Sequence, residues 1–205
     1  MTKIKDAADH YYATQPKSAV KFGLIQTRLR GKPFEFITAS SVFSVKRVDL
    51  GTRLLIESMT LPESGSVLDV GCGYGAVGIA AAVFNRKLHV VLTDVNRRAV
   101  FLARQNAERN HASNVEVRQG NLYDPVEALT FNCVLSNPPV SAGMKTVEAL
   151  IRGAAAVMAS KATFQMVVRS KIGKKTLPQI FDDTFGNFEV SAIESGYRVL
   201  TAKKQ

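Results

Sequence analysis

Short apolar runs alternate along this chain with longer amphipathic segments. Residues 66–70, centred on Val67, Leu68 and Val70, suit a strand covered on both faces. Comparable runs recur at 88–94, 115–119, 131–136 and 163–169. Between them lie stretches with helical spacing, at about 75–85, 96–110, 145–159 and 176–185, the second opening on an asparagine cap. Strands that alternate with helices predict parallel strands joined by crossover helices. The last two runs, 189–193 and 197–201, are separated only by Glu194-Ser195-Gly196, too short for a helical crossover, so they pair antiparallel.

Upstream, 22–30 reads as a strand, Gly31-Lys32-Pro33 as a turn, and 34–38 alternates apolar and polar like a half-exposed strand. This hairpin carries Arg28, Arg30 and Lys32 towards its tip and is expected beside the main sheet, near a substrate entrance. Asp49 suits the N-cap of a helix over 49–57, with Leu50, Leu54 and Leu55 on one face. Residues 1–20 predict a short helix with His10, Tyr11 and Tyr12, broken at Pro16. The expected architecture is α/β and Rossmann-like: a mostly parallel seven-stranded sheet with an antiparallel last strand, plus the N-terminal β-hairpin. One domain is expected over 1–205, with 1–60 as an extension and 61–205 as the core.

The most informative turn follows the first sheet strand. Gly71, Gly73 and Gly75 alternate, and Gly73-x-Gly75-x-x-Gly78 runs into a helix of small residues. Such a loop lets backbone approach a nucleotide-type cofactor at the end of the first strand of an open α/β sheet. Asp94, about 20 residues on, agrees with a dinucleotide fingerprint. Asp69, inside the strand end, suits instead a cationic, amine-bearing ligand and would repel a nearby pyrophosphate.

Composition narrows the setting. The 205 residues suffice to bury roughly 70% of the unfolded chain's surface. Cys72 and Cys133 sit in or beside strands and in no metal-ligand pattern, which suggests reduced core thiols and no metal. No run is long enough to span a bilayer, and the N-terminus has no apolar signal core, so a soluble cytoplasmic protein without membrane partners is expected. The net charge of +10 is segregated: an excess of five in 1–60, one in 61–160 and four in 161–205. Basic charge at both ends of a nearly neutral core suggests a polyanion such as RNA.

Ser136-Asn137-Pro138-Pro139 follows the fourth sheet strand and faces the glycine loop. The lone pair of an exocyclic base amine is delocalised, so the amine is a weak nucleophile. An Asn137 side-chain oxygen and the Pro138 carbonyl can each accept one N–H bond and aim that lone pair, while the prolines limit the loop's freedom. This motif, with Asp69 and the glycines, resembles the Asn/Asp-Pro-Pro-aromatic signature of class I S-adenosylmethionine-dependent methyltransferases. Over roughly 20–203 the chain resembles a single-domain form of the RsmC-type ribosomal RNA guanine-N2 methyltransferases. The hairpin with Phe34-Glu35-Phe36, Ser41-Val42-Phe43-Ser44, Asp49-x-Gly51-Thr52 and Gly196-Tyr197-Arg198-Val199 carry that resemblance.

The resemblance implies S-adenosyl-L-methionine as cofactor. Asp69 and the backbone of Gly71, Cys72, Gly73 and Gly75 would hold its methionine end, Asp94 with Val95 its ribose, and Asn121 and Leu122 its adenine. Asn137, Pro138 and Pro139 would be catalytic, with Asn137 also beside the cofactor. Many relatives have Asp where Asn121 stands, glycine where Ser41 stands, and a base-stacking aromatic where Val140 stands. Phe43 is the candidate ring in place of that aromatic, with core packing as its alternative. Without a counterpart of the family's duplicated N-terminal domain, RNA binding would rest on the hairpin, on Lys46 and Arg47, and on the stretch from Arg169 through Lys171 to Lys175. The same motif serves adenine-N6 enzymes on RNA or DNA and protein glutamine-N5 enzymes. A nicotinamide-dependent oxidoreductase and a non-catalytic RNA-binding module are rivals of other classes.

Overall fold

The computed structural model describes residues 21–205 except Ser41, Phe43 and Val45, and of Ala142 the backbone alone. The helix expected within residues 1–20 and the Phe43 ring therefore lie outside the described residues.

A two-stranded hairpin, β1 (Phe22–Leu29) and β2 (Lys32–Ala39), leads to helix α1 (Leu50–Ser58). The main sheet is built from β3 (Gly65–Val70), β4 (Leu88–Asp94), β5 (Val115–Gln119), β6 (Phe131–Ser136), β7 (Met158–Arg169), β8 (Glu189–Glu194) and β9 (Tyr197–Lys203). Its helices are α2 (Ala76–Phe84), α3 (Arg97–Arg109), α4 (Met144–Val157) and α5 (Thr176–Phe185). The strand order is β5-β4-β3-β6-β7-β9-β8; β3 to β7 are mutually parallel, and β9 runs antiparallel to both of its neighbours. This is the seven-stranded Rossmann-like sheet that the alternating pattern implies. Among the described residues no helix is long and apolar enough to cross a membrane.

Alternation along β3 sorts the two faces. Val67 joins a core with the hairpin, α1, α2 and α3, while Leu68 and Val70 join a second core with α4 and α5. The order reverses at β3, which has β4 on one side and β6 on the other. The crevice at such a reversal is where ligands enter open α/β sheets.

The hairpin packs on the outer side of α2 and α3, not at the mouth of that crevice with its tip. Its turn is Arg30-Gly31, both at positive φ, the twist that a two-residue hairpin favours. Lys32 and Pro33, assigned to the turn by composition, are already in β2. Phe34 and Phe36 stack at 5.8 Å; Phe34 meets Phe84 edge-on and Phe36 meets Tyr74 at 5.5 Å. The Arg30 and Lys32 cations stand 5.3 and 5.8 Å over the Phe84 ring, at the C-terminal end of α2. Arg30 also donates to the carbonyls of Glu57 and Met59, and Lys32 to that of Val83. The hairpin's cationic tip is thus occupied at the end of the fold away from the crevice, which corrects its expected place near the entrance. Its other end, where Ser40 accepts from Arg98, reaches the crevice side.

Strand β7 is longer than the apolar run suggests. Met158 to Ala162 belongs to it because Met158 pairs with Phe131 of β6, while Lys161 N donates to Lys204 O and Lys204 N to Ala162 O beyond the end of β9, both at 2.9 Å.

Asn106, fully buried on α3, joins the hairpin to the glycine turn. Its Oδ1 accepts from Ile37 N at 2.7 Å, and its Nδ2 donates to Ile37 O and Tyr74 O, each at 2.9 Å. Asn106→Ala would strand these backbone groups, and we expect a loss of about 2–3 kcal/mol in urea unfolding. Asn106→Leu, which keeps volume but not the bonds, should not restore it; full recovery by leucine would mean that packing alone holds the hairpin.

Candidate cofactor and substrate site

A cavity of about 270 Å³ opens at the carboxyl ends of β3, β4, β5 and β6. Its walls bring together Asp69, Gly71, Cys72, Gly73, Asp94, Val95, Asn121, Leu122, Asn137, Pro138 and Pro139. Every proposed cofactor and catalytic residue except Gly75 lies on it. Gly75 serves the turn: it has φ +94°, and a Cβ there would stand 2.7 Å from Ile79 Cδ1.

Asp69 is buried at the end of β3, and its Oδ2 accepts from Gly78 N at 2.8 Å. Helix α2 has no side-chain cap of its own at Gly75, so the strand supplies one. The contact requires glycine at 78, since a Cβ there would lie 2.6 Å from Leu92 Cδ1 and 3.1 Å from Asp69 Cβ. Burial pushes the Asp69 carboxyl up to about 7, against the pull of the Gly78 N–H and with a further push from Asp94. Asp94 is also raised, by burial, although Gly73, Asn96 and Val95 N–H groups stabilise its charge. Its Oδ2 accepts from Gly73 N and its Oδ1 from Asn96 N, both at 2.8 Å. With these donors bound, the carboxyl keeps acceptor capacity for a ligand hydroxyl.

The remaining walls are tied by single side-chain bonds. Thr93 Oγ1 donates to the carbonyl of Leu122, which sits at φ +45°, rare for leucine. Ser136 Oγ donates to Val70 O at 2.8 Å, clipping the end of β6 to the end of β3. Pro139, at φ −75° and ψ 75°, forms an inverse γ-turn, closed by Val140 N donating to Pro138 O at 2.8 Å. The Pro138 carbonyl is therefore already aimed and holds one further lone pair. Val140 contributes this backbone bond and is not on the cavity wall.

Asn137 Nδ2 donates to Thr52 Oγ1 at 2.8 Å. Among the described residues its Oδ1 has no protein donor. Thr52, Val42, Tyr74, Ala99 and Thr146 also line the cavity; sequence alone assigns none of them a site role, although Val42 and Thr52 lie in stretches that carry the resemblance. The signal for Thr52 was present: it is a hydroxyl on the helical face that buries Leu55 and Ile56.

The basic candidates divide. Lys46 and Arg47 are exposed along a second concavity beside β1, with Leu24, Gln26 and Arg53. Arg169 lies 5.5 Å over the Tyr197 ring, and Lys171 is exposed. The outer face of α3 is partly spent on the fold: Arg98 holds Ser40 O, Arg104 holds Val117 O, and Arg109 pairs with Glu35 at 2.9 Å.

The raised Asp69 carboxyl makes a pH prediction. An unfolded aspartate releases its proton near 3.8, whereas the folded, ligand-free protein holds it to about 7. The native state binds more protons between these values, so this group's stabilisation is full below the lower one and is lost as pH rises through the upper one. The melting temperature of Asp69→Asn minus that of wild type should therefore grow between about pH 4 and about pH 8. A pH-independent difference would contradict a raised carboxyl.

The donor set fits a cofactor with a cationic end, a vicinal diol and a flat ring. Asp69 and Asp94 bring two carboxyls to the cavity, able to take the first two, and Val95, Ala99 and Leu122 line an apolar part of it that could take the third. Comparison with known proteins agrees. Residues 33–201 match the family model described as methyltransferase small domain. The Bacillus subtilis protein YbxB is 38% identical over 199 residues, 96% of this chain and 99% of its own length. Ribosomal RNA small subunit methyltransferase C of Escherichia coli is 34% identical over 169 residues, 80% of this chain and 48% of its own length. The chain thus spans nearly all of the first relative and about half of the second. The structure of a Thermus thermophilus 16S rRNA N2 methyltransferase (RsmC), in complex with AdoMet and guanosine, superposes with a TM-score of 0.81 at 24% identity, over 93% of this chain and 52% of that one. The chain belongs to the methyltransferase small domain family, the class I enzymes that use S-adenosylmethionine.

Proposed function

We propose that the protein methylates an exocyclic base amine of RNA, guanine N2 of ribosomal RNA above all. The observation that carries this reading is the Asn137-Pro138-Pro139 turn, which lines the same cavity as Asp69. Two acceptors and no strong base suit an amine that must be aimed, not deprotonated, before attack. The relatives named for ribosomal RNA methylation support the RNA substrate, as do the exposed cations at Lys46, Arg47, Arg169 and Lys171. We place this activity in the cytoplasm and in one domain, residues 1–205.

The bound cofactor supplies an electrophilic methyl on a sulfonium. Asp69 would balance its cationic methionine end, and Asp94 would accept from the ribose hydroxyls. Asn121, Leu122 and Val95 would border the adenine, with an Asn121 amide oxygen able to accept from its amino group. Asn137 Oδ1 and Pro138 O accept the two N–H bonds of the base amine. Held by these two acceptors, the amine would take the methyl from the sulfonium, the cofactor leaving as a neutral thioether and the methylated nitrogen giving up one proton to water. Lys46, Arg47 and the 169–175 stretch take the flanking phosphates.

Incubation with methyl-labelled S-adenosylmethionine and RNA from cells lacking the protein should place label in N2-methylguanosine after digestion and mass spectrometry. Label in N6-methyladenosine would move the target and keep the mechanism. Label in protein alone would shift the reading to a glutamine side chain. Asn137→Ala should lower turnover by about 10²-fold, the usual cost of losing one aligned polar contact at the reacting group; near-wild-type turnover would remove Asn137 from its role.

A further inference from the structure

Two stretches conspicuous in the sequence, Asp49-x-Gly51-Thr52 and Gly196-Tyr197, carry no step of the reaction above, yet the structure packs them together behind Asn137. We propose that Thr52 is a positioning residue, held by a brace from strand β9, that keeps the Asn137 amide turned with its oxygen towards the reacting amine.

An asparagine side chain can point either its oxygen or its NH₂ into a site, because the two are nearly the same size. At this position only the oxygen serves. An amide nitrogen is a donor, so a flipped Asn137 would set N–H groups against those of the substrate amine. In the structure Thr52 Oγ1 accepts from Nδ2 at 2.8 Å, the orientation that leaves the amide oxygen to the site. The amide is planar, so pinning its nitrogen fixes where the oxygen lies. Thr52 is only 6% exposed, which shields the bond from water. Its branched Cβ restricts the hydroxyl's rotamers.

The first turn of α1 is itself anchored. Asp49 Oδ2 accepts from Gly51 N at 2.9 Å and from Thr52 N at 3.3 Å. Tyr197, the first residue of β9, donates from its hydroxyl to Asp49 Oδ1 at 3.3 Å. The Tyr197 ring lies so close to α1 that a Cβ on Gly51 would be 2.7 Å from its Cδ1. Glycine at 51 lets the ring seat against the helix backbone, and the Arg169 guanidinium lies over the ring, 5.5 Å from its centroid. The antiparallel strand thus sets the height of α1 over the sheet, and α1 sets Thr52 against Asn137.

The inference rests on reading Asn137 as an amine acceptor, and the test separates the two. Sinefungin carries an amine-bearing carbon where S-adenosylmethionine has its methylsulfonium, so it presents N–H donors at the transfer point; S-adenosylhomocysteine presents none. Calorimetric affinities for both ligands give a ratio that needs no RNA substrate. In Thr52→Val, which keeps shape and loses the acceptor, the sinefungin preference should fall about tenfold, the equivalent of one charge-assisted hydrogen bond, as it should in Asn137→Ala. Thr52→Val should hold S-adenosylhomocysteine within about twofold of wild type. Thr52→Ser, which restores the hydroxyl, should restore the preference. A wild-type ratio in Thr52→Val beside a reduced one in Asn137→Ala would overturn the positioning role alone. A wild-type ratio in both would overturn the amine-acceptor reading, and the positioning role with it. Loss of S-adenosylhomocysteine binding in Thr52→Val would assign Thr52 to the cofactor site and overturn the proposal as well.

Discussion

Asp69 belongs at once to strand β3, to the start of α2 and to the cavity. Its carboxylate caps a helix that has only glycine at its own N-cap position, and the contact forms because Gly78 lets α2 lie low over Leu92. A charged group in this setting is poorly solvated, so the folded protein without ligand keeps it protonated to about pH 7. A cationic ligand group in the cavity would favour its ionised form. One carboxyl therefore couples the packing of the first crossover to the electrostatics of cofactor recognition, and the glycine turn between them has its path set at both ends.

The other walls reach the same space through cross-ties between neighbouring strand ends. Asp94 holds the Gly73 amide, Thr93 the Leu122 carbonyl, and Ser136 the Val70 carbonyl. The first two bonds join the loops after β3 and β5 to the end of β4 and the third joins the ends of β6 and β3, so the carboxyl edge of the sheet behaves as one rim. The hairpin extends this rim from outside: Asn106 pairs with Ile37 as a strand edge would and holds Tyr74 of the glycine turn with the same amide. Such shared bonds pre-organise a site whose task is positioning.

The distribution of positive charge takes on a sharper meaning in three dimensions. Several cations that enlarge the basic excess are engaged in the fold. Arg30 and Lys32 close the hairpin tip on α1 and α2, while Arg98, Arg104 and Arg109 hold β2 and β5 to α3. Lys46 and Arg47 precede α1, and Arg169 lies against Tyr197, so the exposed cations flank the helix whose first turn touches Asn137. Net charge pointed to a polyanion; only the fold distinguishes structural from available cations.

The local patterns were readable because they depend on near neighbours. Apolar runs bounded by turns placed β4, β5 and β6, while Asp49 and Asn96 marked two helix starts through bonds spanning two or three residues. Asp69, the glycines and Asn137-Pro138-Pro139 were legible too, since each has unusual chemistry at a fixed offset from a strand end. The Thr52–Asn137 bond spans 85 residues and the Asn106–Ile37 bond 69, and neither has a periodic signature. The Arg30-Gly31 turn and the early start of β7 were hidden for a related reason, because strand register chooses among turns and strand ends that local composition leaves equivalent. The sequence by itself determined the order of elements and the chemical groups at the sheet's edge. The tertiary structure decided which hydroxyl faces Asn137, which cations remain exposed and where the hairpin lies, because those outcomes depend on surfaces that meet only when distant segments pack.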